Sequence, residues 1–210
     1  MISYAEDGNP SPHPQYFVCG PSWHSLTQHW VQGATLGPPD TAPLASLDLP
    51  DAEGPLVFRA RMIPSAIDQI RTRQREFVSG LWKRNVVEWF LGNPRNGRYI
   101  EVHLAPSHQW WACTFLAVRQ PVHPDGHPLP LSRVIHRTAA GATSWEGEVR
   151  VPAQVVCQLL DAPSLDGLRT NFSAVWFPPG GHACYYSLAP LHGPKPNFHQ
   201  PDFWLPLHIP

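Results

Sequence analysis

Lysine is nearly missing from this chain. Of its 210 residues only Lys83 and Lys195 are lysines, and the other basic residues are scattered arginines. With a formal net charge of -1 and no basic block, a nucleic-acid groove is not expected, because such a groove needs clustered cations to neutralise phosphates. No apolar run approaches the ~18 residues that would span a bilayer. The N-terminal Met1-Ile2-Ser3-Tyr4-Ala5-Glu6-Asp7 lacks the basic and apolar regions of a secretion signal. A cytoplasmic protein without membrane contact is the expectation. The four cysteines, at 19, 113, 157 and 184, form no C-x-x-C pair, so neither a zinc site nor a redox dithiol is expected. Cys113 and Cys184 lie in apolar runs and read as buried thiols. The glycine-rich phosphate loops and the G-x-S-x-G nucleophile turn are absent too.

What the chain has in plenty is proline, with 26 residues, and aromatics, with nine Trp and nine Phe. Proline is excluded from helix interiors and central strands, so many short elements joined by loops are expected. The aromatics supply a large core without staples. Segments 81–91 and 99–104 are rich in Val, Ile, Phe and Trp and are separated by Gly92-Asn93-Pro94-Arg95-Asn96-Gly97. They read as a hairpin. Alternation places Val86, Glu88 and Phe90 on one face of the first strand. Tyr99, Glu101 and His103 share a face of the second. Further strands are expected at 16–20, 26–33, 44–49, 55–62, 108–119, 131–138, 144–151, 169–177, 182–188 and 203–209. A helical turn is expected over 65–79 and a short helix over 152–160. The pattern predicts an all-β chain: a single antiparallel β-sandwich of jelly-roll or immunoglobulin-like type over 16–210, with residues 1–15 poorly ordered.

Trp82 beside Glu88, Glu101, His103 and Asn171 suits a ligand that is apolar on its face and polar at its rim, as a sugar is. The plain alternative is a core indole beside a solvated sheet face. His123 and His127 are four apart, but in a Pro/Gly loop, so no metal site is expected there. The glutamate pair raises hydrolysis of a glycosidic bond, but nothing else in the sequence supports turnover.

The residues Trp82 and Glu88, the run Tyr99-Ile100-Glu101-Val102 and the segments at 105–110, 169–173, 185–190 and 196–203 together resemble the family 9 carbohydrate-binding modules and the wider DOMON-like group. The resemblance covers about residues 55–210. It implies a jelly-roll sandwich in which two aromatic side chains clasp a terminal sugar. Trp82 matches the first aromatic and Glu88 the acidic partner; Phe198 or His199 falls where the second aromatic belongs. Tyr99, Glu101, His103 and Asn171 occupy the polar positions. A non-catalytic saccharide-binding module without cofactor is the leading expectation. Some DOMON-like domains hold haem b through Met and His, which would fall to Met1 or Met62 with His182, His199 or His208. A third reading is an interaction module with a large exposed apolar patch and no small ligand. Oligomeric state is left open.

Overall fold

The computed structural model describes residues 17–31, 42–49, 54–63, 76–137, 144–178 and 182–210. The expected disorder of 1–15, the turn that Gly37-Pro38-Pro39-Asp40 signals in the sequence and most of the expected helix at 65–79 lie outside the described residues. Within them the chain forms fourteen strands and one α-helix. The strands are β1 (Phe17–Val18), β2 (Gly20–Ser25), β3 (Thr27–Val31), β4 (Leu44–Asp48), β5 (Pro55–Met62), β6 (Val86–Gly92) and β7 (Tyr99–Leu104). They continue with β8 (Trp110–Ala117), β9 (Gln120–Pro121), β10 (Arg133–Arg137), β11 (Trp145–Pro152), β12 (Arg169–Trp176), β13 (Cys184–Ser187) and β14 (Leu205–His208). Helix α1 spans Ala153–Leu160.

These strands make two sheets. One runs β1-β14-β12-β6-β7-β8-β9, with β13 and β3 attached to β12. The other runs β10-β11-β5-β4-β2. All pairings between neighbouring strands are antiparallel except β1 with β14. The all-β sandwich expected from alternation and proline content is the observed fold.

Alternation explains which side chains meet between the layers. Leu56, Phe58, Ala60 and Met62 of β5 and Trp145, Val149 and Val151 of β11 face inward into one core. From the other sheet, Trp89 and Phe172 stack on Phe58, each with ring centroids 5.6 Å away. Each such fully buried aromatic stabilises the fold by roughly 1.5–3 kcal/mol relative to an exposed one. The buried indole N–H of Trp89 donates to Thr170 Oγ1 at 3.1 Å, so the core carries no orphan there.

One detail of the expected hairpin is corrected. Leu81-Trp82-Lys83 is not the start of a strand but a 3-10 turn. Gly80 precedes it with φ 79°, a left-handed conformation that glycine adopts without steric cost. Leu81 is buried and anchors the turn, and the buried Asn85 accepts a hydrogen bond from the Phe177 N–H at 2.6 Å. The turn swings Trp82 off the sheet. The sequence pattern also gave no sign of β2 or of β9.

Candidate functional site

The outward face of β6, β7 and β12 carries polar side chains in register. Glu88 pairs with His103 on one side and Ser173 on the other; Phe90 pairs with Glu101. Pairing fixes which groups meet, because residues opposite one another share a face. Ser173 Oγ donates to Glu88 Oε2 at 2.7 Å, leaving Oε1 turned to His103 Nε2 at 3.5 Å. His103 Nε2 also lies 2.6 Å from Glu101 Oε1. Both carboxylates and the imidazole are nearly inaccessible to solvent. Burial raises the pKa of both carboxyl groups well above the usual carboxylate range: His103 and the Ser173 hydrogen bond offset this only partly at Glu88, as do His199 and Arg119 at Glu101. Burial likewise lowers the His103 pKa, against the pull of Glu88.

Over this face lies a pocket of about 910 Å³. Its lining includes Trp82, Glu88, Glu101, Phe198 and His199. Trp82 is 50% exposed, with its ring edge-on to His103 at 6.4 Å between centroids. The indole that the sequence reading depends on is therefore open to water beside an acidic floor. The segment 192–200, which has almost no regular secondary structure, forms the facing wall. Gln200 ties it together by accepting from the His192 N–H at 3.1 Å and donating to the His192 carbonyl at 2.7 Å.

The sequence-predicted residues fall into two groups. Trp82, Glu88, Glu101, Phe198 and His199 line the pocket. Tyr99 and His103 are buried behind it. Tyr99 OH accepts the Arg119 backbone N–H at 3.1 Å and meets His199 Nδ1 at 2.8 Å. In the tautomer in which the phenol donates its proton to Nδ1, the neutral His199 ring carries its proton on Nε2. That nitrogen points at Glu101 Oε2, 4.0 Å away. Glu101 Oε2 has no hydrogen-bond partner among the described residues. In that tautomer a donor and an acceptor face each other across a gap too wide for a direct bond. Asn171 is fully buried and does not line the pocket. Its Oδ1 accepts from Ser187 Oγ at 3.1 Å and from the Ala189 N–H at 2.9 Å, so it pins the turn after β13.

Sequence reasoning passed over Trp111, Phe115, Arg119, Tyr185 and Asn197, all of which line the pocket. Trp111 and Phe115 sit on a strand apolar on both faces, which reads as core. Trp111 donates its indole N–H to the Asp125 carbonyl at 2.7 Å. It can do so because Gly126, with φ 76°, leaves room where a Cβ would overlap the ring. Arg119 reaches across the pocket rim to Asn197 Oδ1 at 3.0 Å. Met62, considered for haem, is packed between the sheets and does not reach the pocket that His199 lines. Among the described residues, no helix is long and apolar enough to cross a membrane.

Solved structures share this two-sheet fold. One similar solved structure is that of a "putative carbohydrate-binding protein" from Bacteroides uniformis, with a TM-score of 0.64 at 17% identity over 90% of this chain and 86% of that one. Another is a family 9 carbohydrate-binding module from Caldicellulosiruptor kristjanssonii in complex with cellotriose, with a TM-score of 0.53 at 11% identity over 88% of this chain and 81% of that one. At these identities the likeness is one of fold. No protein-family model matches the chain, and no curated protein matches it.

Proposed function

We propose that this chain is a non-catalytic module that binds a saccharide in the pocket between Trp82 and the 192–200 segment. The observation that carries the reading is the half-exposed Trp82 indole at the edge of a floor holding an unpartnered carboxylate oxygen and an imidazole nitrogen 4.0 Å from it. The indole offers a flat apolar surface to the C–H face of a pyranose. Glu101 Oε2 and His199 Nε2, 4.0 Å apart, suit one hydroxyl that donates to the first and accepts from the second. The volume of about 910 Å³ lies within the roughly 300–1,000 Å³ of small-ligand sites. The fold shared with a cellotriose-bound module makes a β-linked glucan the first ligand to try.

The absence of chemistry is part of the proposal. Glycosidases set two carboxyl groups on either side of the scissile bond, about 5–9.5 Å apart. Glu88 and Glu101 stand on neighbouring strands of one wall, each with an oxygen within 4.8 Å of the other's. Both reach the pocket from the same sheet face and not from opposite sides of a ligand.

The test is isothermal titration of wild type and Trp82→Ala with cello-oligosaccharides, xylo-oligosaccharides and their monosaccharides. Binding by wild type, weakened about thirtyfold or more in the variant, is expected. No heat from wild type with any of these sugars overturns the saccharide reading.

A further inference from the structure

Two carboxylates are buried at the pocket floor with no arginine or lysine ion pair to either among the described residues; the basic groups within ion-pair distance are histidines, and Arg119 acts on Glu101 from farther off. Burying a carboxylate without a cation is costly, and proteins meet that cost with protons, a paired base or a bound metal. Glu88, Glu101 and His103 each offer one ligand atom, and those atoms lie within 4.8 Å of one another. His103 Nε2 is 2.6 Å from Glu101 Oε1 and 3.5 Å from Glu88 Oε1. Ligands about 2.1 Å from a metal stand about 3.0 Å apart when adjacent in an octahedron and about 3.4 Å apart in a tetrahedron. The two spacings from His103 bracket these values, and the third, between the Glu88 and Glu101 oxygens, lies within 4.8 Å and shortens as the two carboxylates turn toward a shared ion.

Further features agree with such a site. Ser173 holds Glu88 through Oε2 alone, so its Oε1 is aimed at the cluster, as an outer hydrogen bond orients a metal ligand. Glu101 is 5% exposed, and its Oε2 is a buried acceptor with no hydrogen-bond partner among the described residues, 4.0 Å from His199 Nε2.

We propose that Glu88, Glu101 and His103 bind a divalent first-row transition-metal cation, zinc in type, at the floor of the pocket. One imidazole nitrogen and two carboxylate oxygens suit Zn²⁺, Co²⁺ or Mn²⁺, whereas Ca²⁺ and Mg²⁺ prefer oxygen alone. Three protein ligands leave coordination positions open toward the pocket. The proposal does not depend on the saccharide reading, and its test uses the metal alone.

The full chain, stripped with chelator and dialysed, is titrated with Zn²⁺ by calorimetry and with Co²⁺ by visible absorption, with Ca²⁺ as the control. One equivalent of Zn²⁺ and a Co²⁺ ligand-field band are expected. Both should weaken at least tenfold in Glu101→Gln and in His103→Gln and persist in His127→Gln, which alters the separate His123–His127 ring pair. If thermal melting shows that either pocket variant is unfolded, Glu88→Gln replaces it. No Zn²⁺ uptake by folded wild type overturns the proposal. So does uptake that survives every folded pocket variant, or uptake abolished by His127→Gln.

Discussion

The outer faces of the two sheets handle buried carboxylates in opposite ways. On the five-stranded sheet Glu148, whose side chain is 4% exposed, is surrounded by arginines: Arg150 Nε at 2.7 Å, Arg59 Nε at 3.1 Å and Arg137 at 3.8 Å. Its neighbours Asp48 and Glu146 pair with Arg59 and Arg61. On the nine-stranded sheet Glu88 and Glu101 are just as buried, but their nearest basic groups are imidazoles. The result is opposite titration. Burial pushes the Glu148 pKa up, but Arg150 and Arg59 outweigh it and hold the carboxyl below its ordinary value. At Glu88 and Glu101 burial wins and the pKa values rise. One face satisfies its charges internally. The other leaves hydrogen-bonding and charge demands open, and that is the face with the pocket. A site with unmet demands is one that a ligand can meet.

The sharpest way to test this contrast is to exchange effects between the faces. Trp82→Ala should cost about 2 kcal/mol or more of sugar binding, because a stacking aromatic is a typical hot spot. Half exposed on a surface turn, Trp82 should leave the melting temperature nearly unchanged. Glu148→Ala should do the reverse. It removes a charge-assisted cluster and should cost about 1–2 kcal/mol of stability, discounted because Arg150 and Arg137 are largely solvated, with sugar affinity untouched. A loss of stability in the first variant or of binding in the second breaks the division between the faces.

Much of this contrast could be anticipated from pattern, and part could not. β5 and β11 alternate so cleanly that Arg59, Arg61, Glu146 and Glu148 had to face away from the core. The same rule set Glu88, Glu101 and His103 on a single face. Alternation could not say how deeply those three would be buried, since that depends on the cover supplied by the irregular 192–200 segment, which has no period to read. It misjudged Leu81–Lys83 because a left-handed Gly80 and an anchoring Asn85 leave no repeating signature. The resemblance and its amide chemistry put Asn171 among the ligand groups, but neither shows which neighbours take its hydrogen bonds. A metal-ligand set spread over two strands likewise lacks the fixed spacing that a helix or a C-x-x-C would show. Trp111 and Phe115 looked like core because both faces of β8 are apolar.

A smaller effect distinguishes the faces by pH. In metal-free protein Glu101→Gln should be neutral or stabilising by about 1 kcal/mol at pH 8, because it removes a carboxylate buried without a cation. For a carboxyl whose folded pKa is raised, the stabilising proton is fully held below the unfolded pKa of about 4.3 and is lost as pH rises through the folded value. The gain from the variant should therefore shrink as pH is lowered toward 5. Glu148 runs the other way. Its folded pKa is depressed, so its contribution is present above the unfolded value and fades as pH falls through the folded one. Thermal melts of wild type, Glu101→Gln and Glu148→Gln across pH 3–8 should give difference curves of opposite slope. Parallel curves would mean that the two faces are not electrostatically distinct.

The smallest effect tests whether the arginines matter by pairing or only where burial enforces it. Glu146 accepts from Arg61 Nε at 2.8 Å, but their side chains are 36% and 38% exposed. Water screens such a pair, and ordering two long side chains offsets most of what remains. Arg61 also rests over the Trp23 ring, 4.6 Å from its centroid, a contact that does not need Glu146. Glu146→Gln should thus change stability by less than about 0.5 kcal/mol, well below the effect of altering Glu148 two residues along the same strand. Denaturant unfolding of the two variants side by side checks this. Equal losses would show that the outer face of the five-stranded sheet is held by its charge network as a whole, and not by the one buried carboxylate at its centre.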